Sequence, residues 1–221
     1  NARLVKNKAG KVMYYEGFVV DITGRKASEV ALQKVNEQLR VQLDEIRELH
    51  TTLRNQAVHD QLTGLYNRRY MQEAIAQEYA IALLKEYPIS LIVLDLDHLK
   101  EINSTYGHFA GGDKPLQRLG EHLKAMSRAE DIVCRHGGDE FLIALHNTPA
   151  QVAYERAEQW RKSLGRLKID SNGTKFKISF SAGIASFPAD GKNIEEVMQA
   201  ADKALYRAKE LGRNCVVVYS A

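Results

Sequence analysis

The spacing of hydrophobic positions changes several times along the chain, and each change predicts an element. A glycine turn at Lys8-Ala9-Gly10-Lys11, followed by the β-branched and aromatic run Val12–Thr23, predicts a hairpin. Two strands bury too little to stand alone, so this piece needs a partner. From about Ala27 to Gln56 there is no proline or glycine, and helix formers dominate. Apolar residues recur at Leu32, Val35, Leu39, Ile46, Leu49 and Leu53 in steps of three and four, with one position skipped at Gln42 beside Leu43. That narrow seam with polar flanks predicts a two-stranded coiled coil rather than a helix packed on its own domain. Glu37 with Arg40 and Asp44 with Arg47 add surface pairs, and the polar core position lowers stability while permitting a register change.

Beyond the seam, Asp60, Thr63, Gly64 and Asn67 cluster in a structured turn. Residues 68–86 predict a helix with Met71, Ile75, Tyr79, Ala82 and Leu83 on one side. The continuous apolar run after Pro88, ending in Leu94-Asp95-Leu96-Asp97, predicts a central buried strand. A short helix over 98–107 and a loop 107–113 follow, with Asp113 placed to cap a helix that runs to about Met126. Ile132–Cys134 and Phe141–Leu145 flank two glycines and predict a β-hairpin. A helix over 149–164 has Val152, Trp160 and Leu164 as core contacts, and the alternation of 175–187 predicts one strand. Residues 193–211 form an amphipathic helix through Ile194, Val197, Ala201, Leu205 and Ala208, ended by Gly212 and followed by a last strand at 215–219. Strands alternate with helices but one pair is a tight hairpin. The fold class is therefore α/β, with a mixed, antiparallel-rich central sheet flanked by helices and a long N-terminal coiled-coil helix.

Composition narrows this little. The 221 residues are 44% hydrophobic and 27% charged, as in an ordinary globular chain, and hold one domain plus an accessory segment or two small domains. A net charge of +3 does not call for nucleic acid, so no nucleic-acid partner is expected. No run reaches the ~20 apolar residues of a membrane span. The chain begins at Asn1, so a fragment is expected, whose upstream part could carry a membrane anchor. Cys134 and Cys215 form neither a disulfide framework nor a zinc spacing, and read as buried free thiols of a cytoplasmic protein.

The candidate chemistry lies at Cys134-Arg135-His136-Gly137-Gly138-Asp139-Glu140-Phe141. Bare backbone at a bend admits a phosphate or base closely, and two adjacent carboxylates can hold a divalent metal. Taken alone, the stretch reads equally as an exposed acidic turn. Asp95 and Asp97 share a face at the end of the buried strand, where a carboxylate requires a partner: a metal, a salt bridge or water.

The stretch is identical to the signature of the GGDEF family, the diguanylate cyclases. The resemblance covers about residues 57–219. It includes the turn Asp60–Arg69, the strand end Leu94–Asp97, Lys100, Asn103, Gly107-His108 and Gly112-Asp113. It continues through Ser179–Ala185, Ala201–Lys209 and Gly212-Arg213-Asn214. It implies a fold similar to nucleotidyl cyclases and polymerase palms, and the joining of two GTP into cyclic di-GMP with release of two pyrophosphates. Each domain would bind one GTP, so two must face each other in a homodimer. Asp95, Asp139, the carbonyl of Leu96 and Glu140 would hold Mg²⁺, with Mn²⁺ as a substitute, two ions per site; Asp139 and Glu140 are the expected catalytic pair. Gly137 and Gly138 leave room for the nucleotide. Asn103 and Asp113 match the guanine-reading pair, and a carboxylate accepts two donors that adenine lacks. His108 lies in the same matching tract. Lys100, Lys209 and Arg213 match positions near the phosphates.

Three further features accompany the resemblance. Phe109-Ala110-Gly111 is one residue longer than the family's usual spacer before Gly-Asp, which bears on where Asp113 sits, and Ser104 and Leu99 also depart from the usual pattern. Arg128-Ala129-Glu130-Asp131 matches the RxxD inhibitory motif, implying that cyclic di-GMP binds there as product inhibitor, with Arg156 and Arg161 both flanking the second arginine's place. Tyr15-Glu16-Gly17 with Asp21–Lys26 resembles the last strands and exit of a PAS sensor domain. The expected organisation is PAS tail 1–26, signalling coiled coil 27–56 and cyclase domain 57–221. The other functional reading is a catalytically silent module that acts as a cyclic di-GMP or GTP receptor.

Overall fold

The computed structural model describes residues 2–18, 20–106, 113–171 and 174–220. The chain divides into two compact units, Asn1–Leu53 and Arg54–Ala221. In the first, β1 (Ala2–Lys6) and β2 (Val12–Gly17) form an antiparallel hairpin. Its turn is closed by Asn7, whose Oδ1 accepts the N–H groups of Ala9 and Lys11, both at 3.0 Å. Helix α1 (Thr23–Val58) starts four residues earlier than the composition suggests, at Thr23, whose N–H is accepted by the Asp21 carboxylate at 2.9 Å. Leu32, Val35, Leu39, Ile46, Leu49 and Leu53 are all exposed along it, and Arg47 donates to Asp44 at 3.3 Å.

The second unit contains a six-stranded mixed sheet. Its strands are β3 (Tyr66–Asn67), β4 (Ile89–Leu96), β5 (Ile132–Gly137), β6 (Glu140–Leu145), β9 (Phe180–Phe187) and β10 (Val216–Val218). The order is β10-β9-β4-β6-β5-β3, antiparallel at the three central pairings and parallel at both edges. Every residue of β4 is buried, as a strand covered on both faces must be. Side-chain alternation sorts its contacts. Ile92, Leu94 and Leu96 face the core shared with α4 (Lys114–Met126) and α5 (Ala150–Leu164). Ile89, Leu91 and Val93 face the core shared with α2 (Arg68–Lys85) and α6 (Ile194–Glu210). Asp95 continues that second series and points toward α6.

Four sequence expectations change. Residues 175–187 are not one strand: β7 (Ile169–Ser171) and β8 (Thr174–Phe176) form a separate small hairpin, and β9 begins only at Phe180. Phe176 pairs with Ile169 and Ile178 enters the core between the strands, so one apolar alternation serves two sheets. Asp113 does not cap α4; its own backbone is helical (φ −69°, ψ −45°) and its side chain makes no capping bond. Val152 is exposed, because α5 packs through Ala153, Ala157, Trp160 and Leu164, whose small alanines bring it close to α4 and the sheet. Leu83 is likewise exposed, while Ala82 on the neighbouring position is buried. Cys134 is buried and Cys215 only partly so; both are free.

Candidate functional site

The site begins with the hairpin. β5 and β6 meet across the two-residue turn Gly138-Asp139, one residue beyond the midpoint of the two glycines, because the register shifts between Arg135 and Gly137. Gly138 has φ +55°, which an L side chain adopts only at a cost. The antiparallel register places Asp95 of β4 directly opposite Glu140 of β6. One residue on, the Leu96 N–H donates to the carbonyl of Asp139 at 3.1 Å. Two distant stretches, one apolar and one glycine-rich, thus deliver Asp95, Leu96, Asp139 and Glu140 to one end of the sheet.

The surroundings of Asp95 disfavour its charged form. Asp95 is 8% exposed. Burial pushes its carboxyl above the usual range, Asp139 and Glu140 push the same way, and only Lys209 opposes them. Lys209 Nζ lies 2.9 Å from Asp95 Oδ2, brought there by the last turns of α6. Beside this cluster a cavity of ≈ 320 Å³ is lined by His136, Glu140, Asp202, Tyr206 and Lys209. Burial and the neighbouring Glu140 raise the Asp202 carboxyl, and His136 Nδ1 is buried without a hydrogen-bond partner among the described residues.

The donor set fits a hard divalent ion, since every group is an oxygen and the cluster is short of positive charge. Among the described residues, no three His, Cys, Asp or Glu side chains converge closely enough to ligate one ion. The fit is therefore to a divalent ion that one or two carboxylates hold and that takes its other oxygen ligands from elsewhere.

Arg135 sets the geometry of the turn. Its Nε and Nη2 donate to the Gly138 carbonyl at 3.1 and 2.8 Å, and its Nη1 donates to both carboxylate oxygens of Asp60 at 3.3 and 3.2 Å. Asp60 in turn accepts the Thr63 N–H and hydroxyl at 2.9 and 2.7 Å. Burial alone would raise the Asp60 carboxyl, but the bonds from Thr63 and Arg135 lower it. The guanidinium fork is what reaches both partners at once, and an ammonium has no such geometry. Arg135→Lys is expected to displace the turn and to lower any turnover at this site by about 10- to 100-fold, with little change in KM. Steady-state kinetics check it, and an unchanged kcat refutes the positioning role.

The remaining sequence candidates scatter around this centre. Asn103 is half-buried on α3 (Leu99–Tyr106), and its Oδ1 is buried without a partner among the described residues. Asp113 is half-buried at the start of α4. Lys100 is exposed, as is Arg213, which takes a left-handed backbone (φ +64°). His108, with the inserted spacer and Gly112, lies outside the described residues. Asp97 is nearly fully buried, but its partners are protein groups: the hydroxyls of Ser179 and Ser181, both at 2.7 Å, and the Asn214 N–H at 3.0 Å. It pins the loop carrying Arg213 to the end of β4, a positioning role that sequence reasoning did not separate from that of Asp95.

On another edge, Arg128 and Asp131 close a tight turn on each other. The Arg128 N–H donates to Asp131 Oδ2 at 2.7 Å, and the Asp131 N–H to the Arg128 carbonyl at 3.2 Å. Of the two flanking arginines, Arg156 reaches Asp131 with two guanidinium nitrogens. Arg161 is committed elsewhere, to Glu158 at 2.6 and 2.9 Å and to Asn214 at 2.9 Å.

Comparison with known proteins bears on the family and the fold. A family model described as "Diguanylate cyclase, GGDEF domain" matches residues 57–215. The chain is 32% identical over 206 residues to the response regulator PleD of Caulobacter vibrioides, across 89% of this chain and 42% of that protein. It is 36% identical over 178 residues to the diguanylate cyclase DosC of Escherichia coli, across 80% of this chain and 38% of that protein. It therefore spans less than half the length of these curated relatives. Among solved structures it is similar to the coiled coil and GGDEF domain of DgcB from Caulobacter crescentus in complex with c-di-GMP. The TM-score is 0.77 at 28% identity, with 85% of this chain and 99% of that one covered.

Proposed function

Because the chain belongs to the GGDEF-domain diguanylate cyclase family, we propose that it condenses two GTP molecules into cyclic di-GMP and releases two pyrophosphates. The observation that carries this reading is the strand register that sets Asp95 opposite Glu140 and ties Leu96 to Asp139. A receptor without catalysis has no use for that convergence of carboxylates. Asp95, Asp139 and the Leu96 carbonyl would hold Mg²⁺, or Mn²⁺ in its place, two ions per site, with Glu140 alongside. A bound ion supplies charge neutralisation at the phosphates and acidifies the attacking 3′-hydroxyl.

The protein's own groups do the rest. Gly137 and Gly138 present bare backbone to the nucleotide. Lys209, held against Asp95, is placed to turn to a phosphate, and Lys100 and Arg213 are free to add charge from solvent-facing positions. The unpartnered Asn103 Oδ1 supports a guanine pocket, since a buried acceptor without a donor is costly and guanine's edge supplies N–H groups. Asp113 would take the same edge, and His108 would stand near it. At the second site, Arg128 and Asp131 bind cyclic di-GMP as inhibitor, and Arg156 supplies the second guanidinium.

The reaction needs a second copy. The exposed Leu and Val seam of α1 suits a parallel coiled coil, which would bring two cyclase units together. On this reading residues 1–26 close a PAS sensor, residues 27–56 relay its state and residues 57–221 synthesise product. No helix among the described residues is long and apolar enough to cross a membrane. GTP as substrate and two free thiols support a cytoplasmic setting for the unit.

The test is incubation of the purified dimer with GTP and Mg²⁺, with ATP in parallel, followed by product identification. Cyclic di-GMP and pyrophosphate are expected from GTP and no cyclic dinucleotide from ATP. A verified dimer that makes no cyclic dinucleotide, in any sensor state, overturns the cyclase and leaves the receptor.

A further inference from the structure

A cavity of ≈ 710 Å³ lies between α2 and α6, on the face of the sheet that these helices cover. α2 lines it with one stripe, Arg68, Met71, Ile75 and Tyr79, and α6 adds Ile194 and Met198. Leu142 of β6 is the floor between the helices. The stripe from Arg68 to Tyr79 is about 16 Å long by helical rise, so the space is a slot rather than a round pocket. Tyr79 closes its far end. The Tyr79 hydroxyl donates to the Lys192 carbonyl at 2.9 Å, and the ring packs edge-on against Phe187 at 5.0 Å. The volume is that of a small-molecule site.

The slot is apolar along its length and cationic at one end. The methionines let its walls adapt to an occupant. The parallel pairing of β3 with β5 sets Asn67 opposite Arg135, which brings the next residues, Arg68 and His136, to the same end of the slot. Arg69 pairs with Glu73 at 3.6 Å, but Arg68 has no acidic partner among the described residues. His136 Nδ1 is buried without a hydrogen-bond partner among them, a cost that a small turn of the ring toward an acceptor removes. An unspent guanidinium beside an unspent ring nitrogen suits a carboxylate. Glu195 at the opposite end disfavours a second negative charge there.

We propose that this slot binds an unbranched medium-chain carboxylic acid, with its carboxylate on Arg68 and His136 and its chain laid between α2 and α6 toward Tyr79. The site lies within the unit Arg54–Ala221 and rests on neither the cyclase reading nor the product site. His136, Leu142 and Met198 also line the smaller cavity beside Glu140. The bound acid therefore stands directly behind the residue that leads into Gly137.

Decanoate, kept below its micelle concentration, is the probe. Calorimetric titration of the full chain should show one saturable site per chain. Butanoate has the same head and a shorter body, and should bind at least about tenfold more weakly. Ala76→Trp fills the slot from an exposed position on α2, so the fold is kept and binding should be lost. Arg68→Gln should weaken decanoate binding about tenfold, through loss of a charge-assisted bond. His136→Phe keeps a ring and drops the nitrogen. It should weaken binding about fivefold yet melt at or above the wild-type temperature, since that nitrogen has no partner to lose. No saturable decanoate binding at millimolar concentration overturns the site. Binding that survives Ala76→Trp, or equal affinity for decanoate and butanoate, does the same. Unchanged affinity in both Arg68→Gln and His136→Phe refutes the seat of the carboxylate and the proposal with it. Arg68-dependent sedimentation with phosphatidylglycerol vesicles, without binding of free decanoate, assigns the face to a membrane surface and overturns the proposal too. GTP turnover enters none of these outcomes.

Discussion

Asp139→Asn is expected to reduce GTP turnover by at least about 10³-fold while the protein folds as before. The loss follows from charge: the amide keeps the shape of the carboxylate but cannot neutralise a divalent ion, and ion-mediated stabilisation of transferring phosphates amounts to several kcal/mol at about 1.4 kcal/mol per tenfold. Folding should be indifferent. What the turn contributes to the sheet is backbone, the Asp139 carbonyl receiving the Leu96 N–H, and that bond survives the substitution. Removing the carboxylate also relieves repulsion on the buried Asp95. The melting temperature without metal should therefore equal or slightly exceed that of the wild type. Mg²⁺ and a non-hydrolysable GTP analogue should raise the wild-type melting temperature more than the variant's, since only a ligand of the native state stabilises it. Turnover near the wild-type value would remove Asp139 from the metal site.

The buried strand and the bend are legible in the sequence for a physical reason, and the misses have one too, whereas the roles of the site residues come from the family resemblance. β4 announces itself because a strand covered on both faces must be apolar throughout, and the glycines of the hairpin announce a bend because Gly138 needs a positive φ. Both are local demands written in local sequence. Asp60 and Arg135 are 75 residues apart, and Lys209 meets Asp95 only because α6 packs on the same face of the sheet. No spacing rule reports such pairs. Which of Arg156 and Arg161 meets Asp131 is a question of the same kind: both lie on α5, and only its packing against the turn brings Arg156 there while Arg161 meets Asn214. Val152 misleads because size was read as burial, whereas α5 uses alanines to approach its neighbours. Asp113 misleads because an aspartate before Lys-Pro is a good cap by composition, but its backbone is already helical and its side chain stays free of that duty.

Gly183→Ala should be the most damaging glycine-to-alanine change among the described residues. Gly183 lies in β9 opposite Val93, on the face that α6 covers. A Cβ there would lie 2.1 Å from the Ala201 carbonyl oxygen and the Leu205 nitrogen, and 2.7 Å from the Ala204 carbonyl carbon. These are backbone atoms of one helix, so no rotamer change relieves the overlap; the whole of α6 must move away from the sheet. α6 is seated by Val197, Ala200, Ala201, Ala204, Leu205 and Ala208, all buried, and its four alanines exist to let it sit that close. Displacing it opens that core and draws Lys209 away from Asp95. Overpacking of this kind costs about 3 kcal/mol or more against a total of about 5–15 kcal/mol. The melting temperature should fall by at least about 6–12 °C, or the variant should fail to accumulate as folded protein. Gly138→Ala is the control, because it too strains a positive φ, but nothing lies within 4 Å of its Cβ and the cost is only about 1–2 kcal/mol. Circular-dichroism melts of the two variants rank them directly. If Gly183→Ala melts with the wild type, α6 does not rest on the backbone of β9, and the placement of Lys209 beside Asp95 loses its structural cause.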